Sequence, residues 1–281
     1  RAGHGHMNLE LSLRESCDVY YYDLALKVGI DKIAETARRF GLGEAYSIGM
    51  SAVTEGLVPN KDWKRAERDA EWRIGDTVNA SIGQGYVLTS PLHLAVMTAR
   101  IATGNSVTPR LVRGVGAVDT SETVGESLGF NENHLRQVRR AMYEVSNNRR
   151  GTAYGSRIIE DAYRIAGKTG TSQVRNITAA ERARGVTRNE DLPWNRRDHA
   201  LFVNYAPYDN PQIAVAVVVE HGGGGSRAAA PIGRDVTLQA LYGEDPPLAA
   251  YPAKDRDRIQ QQQERLRQVL QANDPDGRSR A

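Results

Sequence analysis

Lys168-Thr169-Gly170-Thr171 closes a β-prone run that begins near Tyr163. A lysine at the end of a strand sets positive charge beside a neighbouring cleft. Two hydroxyls flank a glycine there, so a carboxylate can approach the backbone closely and still be hydrogen-bonded. Far upstream, Ser16-Cys17-Asp18 falls at a break between two helix-like stretches. A serine beside a lysine can pass a proton between a nucleophile and a leaving group. Serine and aspartate two residues apart are common in any sequence, and a simple helix cap explains them equally well when taken alone. Their weight comes from the lysine motif.

These residues need elements to position them. Residues 8–40 read as helical with one interruption at 16–18. Asp31 is the expected N-cap of a helix to Phe40, and Gly41 stands at its C′ position. Residues 41–76, rich in glycine and charge, read as irregular surface structure. Ser90-Pro91 opens a helix to about Thr103, with Leu92, Val96 and Ala99 on one face. Residues 107–125 hold short β-prone pieces, and His134–Ser146 reads as another helix. Tyr163–Thr171 is an expected strand ending in a tight turn. The arginine-rich stretch 172–198 reads as a solvated polar loop. His199–Ala206 and Gln212–Glu220 form a hairpin across Pro207-Tyr208-Asp209-Asn210-Pro211. Gly222–Gly225 then breaks the chain before a helix over 228–241. Helices followed by three strands and a last helix give an α+β fold with an antiparallel sheet covered by helices. Beyond Gly243 lies a Pro-rich linker and a polar helix, about 255–272, with a thin stripe of Ile259, Leu266 and Leu270. Residues 246–281 are therefore expected to be a mobile polar tail, apart from a domain over 1–245.

Composition narrows the function classes. The chain has 281 residues, 40% apolar and 25% charged, enough for a real core. Aromatics are 6%, too few for base-stacking platforms, and the net charge of +3 comes without a basic run, so no nucleic-acid partner is expected. Cys17 is the one cysteine, which excludes an intrachain disulfide. The longest apolar run, Ile213–Val219, falls far short of the ~20 residues a membrane helix needs. The start at Arg1 reads as an excision from a longer protein.

The two motifs resemble the second and third of serine penicillin-recognising enzymes: S-x-x-K, then S-x-N or S-x-D, then K-T/S-G. Gly3-His4-Gly5, Asp18-Val19-Tyr20-Tyr21-Tyr22, Gly83-Gln84-Gly85-Tyr86, 199–207 and 214–222 extend the resemblance to penicillin-binding protein 2, the elongation-type peptidoglycan D,D-transpeptidase. The resemblance implies a penicillin-binding/β-lactamase-like transpeptidase fold, with an all-helical subdomain beside the sheet. It implies catalytic roles for Ser16 as proton relay, Asp18 as support of the loop, and Lys168 as the charge that tunes the site. Thr169, Gly170 and Thr171 would bind the carboxylate of a D-Ala-D-Ala stem peptide or a β-lactam, with the Thr171 N–H as one arm of an oxyanion hole. A membrane anchor, a catalytic domain in the periplasm and a membrane glycosyltransferase partner of the elongation complex follow from the same resemblance.

The family places S-x-x-K upstream of Ser16, and residues 1–15 contain none. The nucleophilic serine, its lysine and the second oxyanion N–H are expected outside these residues, and the chain alone is expected not to acylate. A D,D-carboxypeptidase or β-lactamase of the same fold stays open, as does a non-catalytic β-lactam sensor or elongation-complex scaffold. The chemistry requires no cofactor. His4 and Cys17 are candidate ligands for a structural Zn²⁺, although a tetrahedral site needs four.

Overall fold

The computed structural model describes residues 3–51, 53–112, 114, 115, 118, 119 and 124–273. Residues 1, 2 and 274–281 of the expected domain and tail, and part of the 107–125 stretch, lie outside the described residues.

The helical region starts with α1 (Leu9–Arg14), where the Asn8 side chain accepts from the Leu11 N–H at 2.8 Å. The chain breaks at 15–17 and resumes as α2 (Asp18–Val28) and α3 (Ile30–Arg39). Asp31 is not the N-cap. Gly29, at φ +83°, makes the corner between α2 and α3, and Asp31 lies inside the first turn, where it pairs with Lys61 at 3.2 Å. Gly41 does follow α3 with a positive φ of +91°. A Cβ there would sit 2.3 Å from the Tyr46 hydroxyl, so glycine is required twice over.

The stretch 41–76 is less irregular than its composition suggests. It contains α4 (Lys61–Arg68) and leads into α5 (Ile74–Ala80). Asn60 caps α4 through the Trp63 N–H at 2.8 Å, and Lys64 reaches Asp76 at 2.5 Å with both side chains nearly buried. Trp63 packs on Tyr86 at 5.2 Å between ring centroids. Side-chain pairing across the loop, rather than apolar periodicity, stabilises these helices.

Ser90 caps α6 (Pro91–Thr103) as expected, its hydroxyl meeting His93 Nδ1 at 2.7 Å. Two small antiparallel ribbons follow: β1 (Asn105–Val107) with β4 (Val124–Ser127), and β2 (Gly114–Val115) with β3 (Val118–Asp119). α7 (Glu132–Asn147) then leads toward the central sheet.

That sheet has the order β5 (Ala166–Ser172), then β6 (His199–Ala206), then β7 (Ile213–Val219), all antiparallel. The hairpin register runs from Ala206↔Ile213 to Ala200↔Val219. β5 starts three residues later than expected and runs straight through Gly170 to Ser172, so the lysine motif lies within a strand and not at a turn. The 172–198 loop folds a short α8 (Ala179–Arg184), held by a two-pronged Arg175–Glu181 pair at 2.7 and 2.8 Å. α9 (Gly225–Tyr242) covers one face of the sheet and α10 (Arg256–Asn273) follows it.

The sheet is packed on both faces. Ala200, Phe202 and Ala206 meet Ala229, Ala230 and Leu238 of α9 in the main core. Ala166 and Tyr205 face Ala102 of α6 and Met142 of α7 on the other side. Residues beyond 245 contribute to the main core: Ala250, Tyr251 and Ile259 are buried in it, at about 1.5–3 kcal/mol for each large side chain. Arg234, fully buried in α9, pairs with Asp255 at 2.6 Å and so ties the two segments together. Further along α10, Leu266 is 51% exposed against 3% for Ile259.

Candidate active site

Ser16 sits in the turn between α1 and α2 with φ +54°, a left-handed conformation that costs a non-glycine residue about 1 kcal/mol or more. The turn is stitched in place. Its Cys17 N–H donates to Ser12 O at 2.8 Å, and the Cys17 thiol is buried beneath it. Glu15 receives Arg14 at 2.6 Å and Arg150 at 3.0 Å, and the Arg14 hydrogen bond leads in holding the Glu15 carboxyl below the usual carboxylate range. Arg150 stands beside Thr152, whose N–H donates to Arg14 O at 3.3 Å.

Lys168 comes to this turn from β5. Its Nζ donates to Ser16 Oγ at 2.8 Å and to Thr169 O at 2.7 Å. Burial pushes the ammonium down to about 8, partly countered by the charge of Asp18. Asp18 is exposed on the first turn of α2, where a carboxylate also complements the helix dipole.

β5 is the outer strand of its sheet, and its free edge has an orientation. Thr171 O accepts from Gln84 Nε2 at 3.2 Å, a donor outside the sheet, and Thr169 O accepts from the Lys168 side chain, which also reaches Ser16 beyond the strand. Alternate residues of an antiparallel strand present their N–H and C=O to the same side. The backbone groups of Thr169 and Thr171 therefore face away from β6, and Thr171 offers a donor–acceptor pair to an extended chain. The Thr169 hydroxyl meets the Thr152 hydroxyl at 2.7 Å. Glycine at 225 lets α9 close in on β5: a Cβ there would lie 2.3 Å from Leu201 O and 2.4 Å from Gly170 O.

A lysine-held serine, a lysine pushed down to about 8 and an outer strand edge with no neighbouring strand suit acyl transfer on a peptide. The sequence matches the penicillin binding protein transpeptidase domain over residues 1–238. This chain belongs to the penicillin-binding protein transpeptidase family. It is 38% identical over 242 residues to the peptidoglycan D,D-transpeptidase MrdA of Acinetobacter baumannii, covering 83% of this chain and 35% of that protein. Among solved structures it is similar to the penicillin-binding protein PBP2 of Helicobacter pylori in complex with MreC, with a TM-score of 0.71, 33% identity, and coverage of 86% of this chain and 41% of the other. It is also similar to Pseudomonas aeruginosa PBP2 in complex with WCK 5153, with a TM-score of 0.70, 34% identity, and coverage of 88% and 50%. The chain thus spans about a third of the curated relative's length.

Within this transpeptidase fold, Ser16, Lys168 and Thr169 are joined by direct hydrogen bonds, and Asp18 acts on Lys168 through charge. Thr152 was missed in the sequence, because nothing in Gly151-Thr152 announces a partner 17 residues away. Gln84 lies in Gly83-Gln84-Gly85-Tyr86, where residue types alone assign it no role. Its signal is the glycine on either side, each at φ +73°. His4 is exposed and Cys17 buried. Among the described residues no group of three or more His, Cys, Asp or Glu side chains could hold a metal ion, whereas a tetrahedral Zn²⁺ site needs four ligands. Among the described residues, too, no helix is long and apolar enough to cross a membrane.

Proposed function

We propose that this chain is the proton-relay and substrate-binding part of a peptidoglycan D,D-transpeptidase. The observation that carries the reading is the Lys168–Ser16 hydrogen bond beside the free edge of β5. A stem peptide ending in D-Ala-D-Ala lies along that edge as an added strand, its main chain pairing with Thr171 and its carboxylate held by the threonines. A serine outside these 281 residues attacks the penultimate D-Ala carbonyl, its proton passing to the lysine of its own S-x-x-K segment, and the Thr171 N–H donates to the developing oxyanion. The C–N bond to the terminal D-Ala breaks as an acyl-serine ester forms. Ser16 gives its proton to the leaving amine and Lys168 replaces it. The amine of a second stem peptide then attacks the ester, forming the cross-link and releasing the serine. A β-lactam enters the same first step and stops there, because its ring opens without losing a fragment.

This chemistry uses no metal. The parent protein is anchored in the cytoplasmic membrane and works in the periplasm, beside a membrane glycosyltransferase that makes the glycan it cross-links. The MreC complex of the Helicobacter pylori relative supports a place in such an assembly.

The test is product analysis with the full-length protein and glycan strands carrying D-Ala-D-Ala stems. Free D-alanine matched by cross-linked product is expected. D-alanine without cross-links makes the protein a carboxypeptidase, and neither product with a folded protein leaves a sensor or scaffold.

A further inference from the structure

We propose that Gln84 is a gate on the substrate strand: in the empty site its side-chain amide closes the Thr171 carbonyl, and an incoming peptide displaces it to dock on β5. The inference rests on the transpeptidase reading above and deepens it.

Both outward carbonyls of the lysine motif hold a side-chain donor, Lys168 on Thr169 O and Gln84 on Thr171 O. An unpaired strand edge invites any extended chain, and covering its acceptors protects it. The two covers differ. Lys168 is held at once by Ser16 and Thr169 at 2.8 and 2.7 Å. Gln84 reaches Thr171 at 3.2 Å, at the long end of the hydrogen-bond range, on a flexible stem. Its backbone, in contrast, is fixed. The Gln84 N–H donates to Asn79 O at 2.9 Å and the Gly83 N–H to Ala80 O at 3.0 Å, folding the loop back on the end of α5. α5 is in turn bound to α4 through Lys64 and Asp76 at 2.5 Å. A fixed loop thus carries a side chain that touches β5 at the acceptor a peptide amide needs. The gate costs a ligand that uses Thr171 O and is neutral to one that does not.

The experiment compares full-length wild type with Gln84→Leu, which keeps the shape and loses the donor, and with Gln84→Asn, whose shorter amide falls short of Thr171. Second-order acylation constants are measured with a fluorescent penicillin, whose acyl side chain bears an amide N–H, and by competition with a carbapenem that has no such amide. Both variants are expected to acylate about five-fold faster with the penicillin, the worth of one neutral hydrogen bond, and at an unchanged rate with the carbapenem. Equal changes with both compounds, no change with either, or a slower penicillin reaction would overturn the gate. A wild-type protein acylated by neither compound sinks the transpeptidase reading itself, which is a separate result.

Discussion

Lys168 Nζ donates to Ser16 Oγ at 2.8 Å, and this bond joins two motifs 152 residues apart in the chain. The same lysine is pushed down to about 8 by burial. In the proposed step the protonated form is the working one, because it refills Ser16 after the leaving amine takes a proton. Acylation of the full-length protein by a fluorescent penicillin should therefore fall as pH rises through about 8. A rate that climbs through the same range would assign Lys168 the role of a base.

The lowered Lys168 also acts on stability. Its folded value of about 8 lies below the value near 10.4 of an unfolded lysine. Below 8 both states bind the proton and the full burial cost, up to about 3 kcal/mol, is present. As pH rises from 8 toward 10.4 the folded state loses the proton first and the cost shrinks. Lys168→Met removes the charge and keeps the stem, so its melting temperature should exceed wild type at neutral pH. That advantage should fade in alkali. Thermal unfolding of the full-length protein at neutral and alkaline pH checks this, and a Lys168→Met protein less stable at neutral pH would contradict it.

Gly225→Ala tests how closely α9 must approach the lysine motif. Its Cβ would collide with Leu201 O and Gly170 O, and backbone carbonyls cannot rotate aside as a side chain can. A loss of about 2–4 kcal/mol in denaturant unfolding is expected, with slower acylation as β5 shifts. Wild-type stability would mean that α9 and β5 sit further apart than described.

The C-terminal segment offers a fourth check. Tyr251 is 3% exposed and packs in the main core beside Leu238 and Ile259. Tyr251→Ala should cost about 3–5 kcal/mol, read as a lower denaturant midpoint. A mobile tail would tolerate the change.

Local chemistry made much of this fold legible in the sequence. The Ser90-Pro91 start of α6, Gly41 after α3 and the β6–β7 hairpin each depend on a residue type that has few other uses. α4 and α5 were hidden, because buried pairing of Lys64 with Asp76 stabilises them and such a pair has no periodicity. Tyr251 and Ile259 were hidden for a related reason: two apolar residues in a polar helix region carry no pattern until α9 is there to receive them. At the site, Lys168-Thr169-Gly170-Thr171 stands out by its residue types, whereas Ser16-Cys17-Asp18 takes its weight only from that motif. Thr152 was not, since one hydroxyl meeting another at 2.7 Å depends wholly on tertiary position. The orientation of the β5 edge, which gives Gln84 its meaning, is set by register, and register cannot be read from residue types alone.

Covalent labelling tests the central claim most directly. Full-length protein is treated with a fluorescent penicillin, digested, and the adduct mapped by mass spectrometry in wild type, Lys168→Ala and Ser16→Ala. The account expects the adduct on a serine outside these 281 residues, formed about 10²–10⁴-fold more slowly in Lys168→Ala and also slowed in Ser16→Ala. An adduct formed at the wild-type rate in both variants would remove Lys168 and Ser16 from the reaction, and no adduct on a folded wild-type protein would contradict the transpeptidase account altogether.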